Sequence, residues 1–120
     1  MLNVVAVSGR LSRPAEQRVL PSGAMVLALD VTVRSSRAPA ETVPVTWVEA
    51  PAWATTLDLD QEVLVVGRVR RRFFRSGGTT QSRTEVVAER VVRLPARRRA
   101  RQAIAQVSAR LESAAAELGA

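Results

Sequence analysis

From residue 4 to residue 94 the sequence is cut into short β-branched runs, each closed by glycine, proline or serine, and that rhythm admits few folds. Residues 4–11 (VVAVSGRL) read as a first strand, in which Gly9 marks a bulge or a close approach of another backbone. Arg13-Pro14 interrupts it. Pro21-Ser22-Gly23 reads as a turn, and residues 24–33 as a second strand with Leu27, Leu29, Val31 and Val33 on one face. Residues 35–42 (SSRAPAET) lack an apolar period and are expected to form a mobile loop. Residues 43–49 make a third strand. Residues 51–57 make a short helix whose proline sits in the first turn, where a missing N–H does little harm. Residues 62–74 form the longest strand, Gly77-Gly78 a hairpin loop, and residues 84–94 the fifth strand. Five short antiparallel strands are too few for a sandwich, and closing them into a barrel removes the exposed edges. The expected fold is all-β, a five-stranded barrel capped by the short helix between strands three and four.

Pro95 ends the strand pattern. Beyond it Ile104, Val107, Leu111, Ala114 and Leu118 recur three and four residues apart, which predicts an amphipathic C-terminal α-helix. Two heptads with one alanine make a marginal seam, so this helix is expected to dock on its own barrel or on a neighbouring subunit. The chain therefore divides into a barrel over residues 1–94 and an arginine-rich helical tail over residues 95–120.

Charge is unevenly spread. Residues 1–66 hold five arginines and seven acids, residues 67–101 twelve and two, and residues 102–120 one and two, for a net +7. All 18 basic residues are arginine, a composition that also fits the codon bias of a GC-rich genome. A 35-residue basic segment on a near-neutral body is the footprint of a polyanion-binding surface, because each neutralised phosphate releases condensed counterions. A solvated basic face without a ligand is the plainer alternative. Histidine and cysteine are both absent, which removes imidazole bases, thiolate nucleophiles, disulfides and the usual Zn, Cu and haem ligands. Asp58 and Asp60 alternate with leucines as a turn does, not as an acid/base pair. No catalytic residue, metal ligand or cofactor site is expected, and the chain is not read as an enzyme. With no apolar run long enough to span a membrane and no signal peptide, the expected location is cytoplasmic, with the nucleoid.

The fourth strand carries the chemistry. Alternation puts Leu64, Val66, Arg68, Arg70, Arg72 and Phe74 on one side and Val63, Val65, Gly67, Val69, Arg71 and Phe73 on the other. The first set turns from apolar to three arginines about 6.6 Å apart, followed by a ring. That spacing is near the phosphate repeat of an extended single strand. Arginine pairs with phosphate through a two-pronged hydrogen bond and also lies flat on bases, and an aromatic ring stacks. The candidate contacts are Arg68, Arg70, Arg72 and Phe74, with Arg75 and Arg83 flanking the hairpin loop and Arg34 reaching from the edge of the long loop. Trp47 is read as a second stacking platform in preference to a half-buried wall, while Phe73 and Trp53 are expected in the core. Arg97, Arg98, Arg99 and Arg101 stand at a helix start, where positive charge opposes the macrodipole, and so ask for a partner in phosphate or in Asp58, Asp60 and Glu62.

Four segments, in order and covering most of residues 1–94, resemble the bacterial single-stranded DNA-binding protein family. They are Asn3-x-Val5-x-Val7-x-Gly9-x-Leu11 with Pro14; Leu20-Pro21-Ser22-Gly23-Ala24-Met25-Val26; Val63-x-Val65-Val66-Gly67-Arg68-Val69-Arg70-x-Arg72 with Phe74; and Thr84-Glu85-Val86-Val87-Ala88. The resemblance implies an OB-fold barrel assembled as a homo-tetramer or dimer, binding single-stranded DNA with little sequence preference in replication, recombination and repair. It also implies a stacking role for the residue at Phe74. The sequence departs from the family pattern in three places: Val43 and Glu49 stand where aromatics are usual, Glu49 is acidic where phosphate is expected, and the acidic tip that recruits other proteins is missing. Those departures leave a second expectation open, an oligomeric scaffold with weak or lost DNA binding; RNA is a further possible ligand, since phosphate contacts and stacking do not read the 2′-hydroxyl.

Overall fold

Alternating apolar residues build the wall of a closed barrel. The computed structural model describes residues 1–119. Its strands are β1 (Val5–Leu11), β2 (Glu16–Val19), β3 (Met25–Ser35), β4 (Ala38–Val48), β5 (Glu62–Ser76) and β6 (Thr79–Arg93), followed by the helix α1 (Arg97–Glu117). Pairing runs β1–β5–β6–β4–β3 and returns to β1 through Arg10↔Thr32 and Leu11↔Val31. The β4–β6 closure is parallel, at Val45↔Val86 and Thr46↔Val87, and the other junctions are antiparallel. This is the OB-fold arrangement, five barrel strands with a turn of 3-10 helix (Ala52–Thr56) between the third and fourth of them. Gly9 lies where β1 leaves β5 for β3. A Cβ there would stand 2.2 Å from the Thr32 carbonyl oxygen, so only glycine allows the close approach that closes the barrel.

Inside the barrel Leu27, Leu29 and Val31 of β3 meet Val45 and Trp47 of β4, Val63 and Val65 of β5, and Val86, Ala88 and Val91 of β6. The step from Ala88 to Val91 breaks the two-residue period because the β5–β6 register shifts between Val66 and Gly67, leaving Glu89 as the extra residue of a bulge. Ala54 and Leu57, from the 3-10 helix and its end, are fully buried and plug the barrel as the sequence suggests.

One local expectation is corrected, and one strand is added. Residues 35–42 are not a loop: β3 and β4 remain paired to Ser35↔Ala38 around a two-residue turn, with the Ser35 hydroxyl accepting from the Arg37 N–H at 3.1 Å. Residues 38–42 are exposed on both faces, so no burial period exists for a sequence reading to find. For the same reason β2 has no periodic signature in the sequence; all four of its residues are exposed and its backbone pairs with Met25–Ala28.

The C-terminal helix forms, but its apolar residues divide. Ala96, Ala100, Ala103 and Val107 pack on the outer barrel surface at Leu64, Val66 and Val92. Ala114 is also buried, whereas Ile104, Leu111 and Leu118 remain 48%, 46% and 79% exposed.

Candidate nucleic-acid interface

Half of the β5–β6 pair lies outside the barrel. β1 accompanies β5 only as far as Val5↔Gly67. The Asn3 side chain then closes the edge: its Nδ2 donates to the Val69 carbonyl at 2.8 Å and its Oδ1 accepts from the Val69 N–H at 2.9 Å. Beyond that point residues 68–76 and 79–84 continue as a two-stranded ribbon, exposed along its length except for half-buried Arg70. Gly77 and Gly78, with φ of 59° and 82°, make the two-residue loop at its tip between Ser76 and Thr79.

Residues directly opposite in an antiparallel pair share a face. One face of the ribbon carries Arg68, Arg70, Arg72 and Phe74 from β5, opposite Val87, Glu85, Arg83 and Gln81 of β6. The other carries Val69, Arg71, Phe73 and Arg75, opposite Val86, Thr84, Ser82 and Thr80. Each face holds a guanidinium over a ring: Arg72 lies 5.6 Å from the centre of Phe74, and Arg71 5.6 Å from the centre of Phe73. Phe73 is therefore not a core residue. It is 66% exposed, because the barrel interior has ended by the time the strand reaches it.

Glu85 organises the first face. Its carboxylate, 3% exposed, accepts hydrogen bonds from the Thr46 hydroxyl and from Arg70 Nη2 at 3.0 Å, and pairs with Arg72 Nε at 3.2 Å. Burial pushes its pKa upward, but the hydrogen bonds of Thr46 and Arg70 and the charges of Arg70 and Arg72 outweigh that and hold it below the usual carboxylate value. Two of the three alternating arginines are thus held by an internal anion. Arg71 donates to the Ser82 hydroxyl at 3.0 Å and Arg75 to the Gly78 carbonyl at 3.2 Å, contacts that leave their charge uncompensated. Arg68 and Arg83 make no side-chain hydrogen bond or ion pair among the described residues. Glu85 carried no signal of its own in the sequence; its importance comes from the register Arg70↔Glu85, which pairing alone sets.

The remaining candidates lie apart. Trp47 is 8% exposed within the barrel core and meets Trp53 edge-on at 5.9 Å, so its ring has no free face for a base; it is wall, not platform. Trp53, expected in the core, is instead 40% exposed with the Arg93 guanidinium 5.3 Å from its centre. Trp47 shares its side of β4 with Val43 and Val45, and that side faces inward. Arg34 does not join the ribbon; it lines an open cleft of about 300 Å³ with Arg10, Thr32 and Glu62.

A ribbon with cations on both faces and rings beneath them can hold a flexible polyanion by ion pairing and stack flat groups against its aromatics. A comparison with curated proteins finds no individual match. Residues 2–94, the barrel and its ribbon, match the single-strand binding protein family. With more than half of its length matched and a closed OB-fold barrel beneath the match, the chain belongs to the single-strand binding protein family.

Proposed function

We propose that the chain binds single-stranded DNA without catalysis and with little sequence preference, using the β5–β6 ribbon as its contact surface. The observation that carries this reading is the ribbon itself: five exposed arginines and two exposed rings stand clear of the barrel on a hairpin that no core packing requires. Family membership supports the ligand class. Arg68, Arg71, Arg75 and Arg83 supply phosphate contacts, while Phe73 and Phe74 offer rings to unstacked bases. Arg70 and Arg72 act differently from the simple row of phosphate ligands that their spacing suggests. Glu85 fixes their planes, so they present oriented N–H groups rather than free charge. The protein works as a homo-oligomer in the cytoplasm, at single strands exposed during replication, recombination or repair.

The test is an anisotropy titration of labelled oligo-dT, the matching duplex and oligo-U across a salt series. The reading requires a clear preference for single strands over duplex and a log K that falls linearly with log salt. A single-strand slope falls by about 0.7 for each phosphate neutralised. A slope near zero, or equal affinity for duplex, overturns it. Tighter binding of oligo-U than of oligo-dT reassigns the ligand to RNA.

A further inference from the structure

The helix α1 has two apolar stripes, and its own barrel covers only one. Ala96, Ala100, Ala103 and Val107 face the sheet. A second stripe, turned by roughly a quarter of the helix circumference, runs Arg101, Ile104, Ser108, Leu111, Ala115, Leu118, at spacings alternating three and four. All six of these residues are exposed. The four arginines that open the helix are equally without partners. Arg97, Arg98, Arg99 and Arg101 enter no ion pair among the described residues, the Ala96 N-cap offers no side-chain hydrogen bond, and the first turn contains no acid. Positive charge at that end opposes the helix macrodipole.

We propose that this second stripe is a self-pairing seam, in which α1 packs antiparallel against α1 of a second copy of the chain. Side-chain size chooses the partner and the direction. The stripe alternates large with small: Ile104, Leu111 and Leu118 at one heptad position, Ser108 and Ala115 at the other. Layers of an antiparallel pair set one heptad position against the other. Ile104 then packs on Ala115 of the second copy and Leu111 on Ser108, so these central layers each hold one large and one small group and the helices approach closely, while at the ends Leu118 lies on the aliphatic stem of Arg101. A parallel pair would set large against large and small against small, leaving gaps at Ser108 and Ala115. It would also stack Arg97 and Arg101 on their own copies. In the antiparallel pair the Arg101 guanidinium lies beside the second copy's last turn, where exposed carbonyls and the negative end of the dipole favour a cation. The exposed apolar stripe and the Arg101 charge are thus satisfied by one arrangement. This seam is separate from the ribbon and does not depend on DNA binding.

The natural chain contains no cysteine, so crosslinking reads the geometry directly. Ile104→Cys and Ala115→Cys are prepared separately and mixed, then mildly oxidised. An antiparallel seam joins the two variants to each other, giving a disulfide-linked dimer on a nonreducing gel of the mixture that reductant returns to monomer. Either variant alone stays monomeric on that gel, because its two cysteines lie about 16 Å apart along the axis. Efficient crosslinking of each variant alone overturns the antiparallel assignment, and a mixture that stays uncrosslinked while circular dichroism shows intact folding overturns the seam. In sedimentation, Ala115→Arg in the cysteine-free chain weakens helix-mediated self-association by at least about tenfold in dissociation constant. Its far-UV spectrum and its oligo-dT affinity per chain are unchanged; an unaltered association constant counts against the proposal.

Discussion

Residues 62–67 and residues 68–76 of β5 share one strand and one alternation, yet their surroundings are opposite. In the first segment both faces are covered, Val63 and Val65 by the barrel interior and Leu64 and Val66 by α1. In the second every residue but half-buried Arg70 is exposed, and beyond Val69 arginine and phenylalanine replace valine on both sides. The change falls where β1 ends as a neighbour, at Gly67. A strand with two covered faces is committed to stability. A strand with two open faces contributes little to it and leaves its side chains available to a ligand. Substitutions in the two halves should therefore separate folding from binding.

The largest effect is expected in the covered half. Val65→Asp places a carboxylate at a fully buried position with no partner, and should cost about 4 kcal/mol or more in chemical denaturation. A milder loss would mean the barrel wall is looser than its burial indicates. In the open half, Arg68→Ala, Arg75→Ala and Arg83→Ala combined should leave stability within about 0.5 kcal/mol of the parent. The same triple change should flatten the salt dependence of oligo-dT binding by about two units of slope. If the triple variant instead unfolds at lower denaturant, the ribbon is part of the fold and the contrast fails.

Glu85→Gln tests the boundary between the two halves, since this residue lies at the ribbon root. Its loss should lower stability by about 2 kcal/mol, because charge-assisted hydrogen bonds to Arg70 and Arg72 weaken, while freeing those guanidiniums for phosphate and tightening low-salt binding. The pH dependence has a definite sign. The folded-state pKa of Glu85 is depressed, so its stabilising contribution is present above the ordinary carboxylate pKa and is lost as pH falls below it. An acid-denaturation profile unchanged by Glu85→Gln would show that the triad contributes nothing. The smallest effect belongs to Phe73→Ala, which should weaken oligo-dT binding by about 1 kcal/mol with stability unaffected, in line with one stacked base. A loss of stability there would return Phe73 to a packing role.

The fold was legible wherever burial imposes a period. Leu27, Leu29, Val31, Val63 and Val65 alternate because one side faces the core, and Gly9 and Gly77-Gly78 stand at positions where the backbone needs glycine. Residues 16–19 and 38–42 are paired strands with every side chain exposed, so no burial period marks them in the sequence. The candidate site was legible as a concentration of arginine on the fourth barrel strand. It was misread in its aromatics, since period-two parity says which residues share a side but not which side faces inward. Trp47 is buried wall for that reason, Trp53 stands on the 3-10 helix, where strand parity does not apply, and Phe73 lies beyond the end of the barrel, where inward has no meaning.

The sequence by itself determined the number of barrel strands, their hairpins, the helix between the third and fourth, the C-terminal helix and the placement of positive charge. These are local or periodic properties, written in neighbours a few residues apart. Only the tertiary structure decided that the arginine strand outruns its neighbour, that Glu85 grips two of its three alternating cations, and that α1 shows its barrel one stripe while leaving another open. Each depends on the register and length of strands distant in the chain, and pairing fixes those through long-range contacts that no local pattern records.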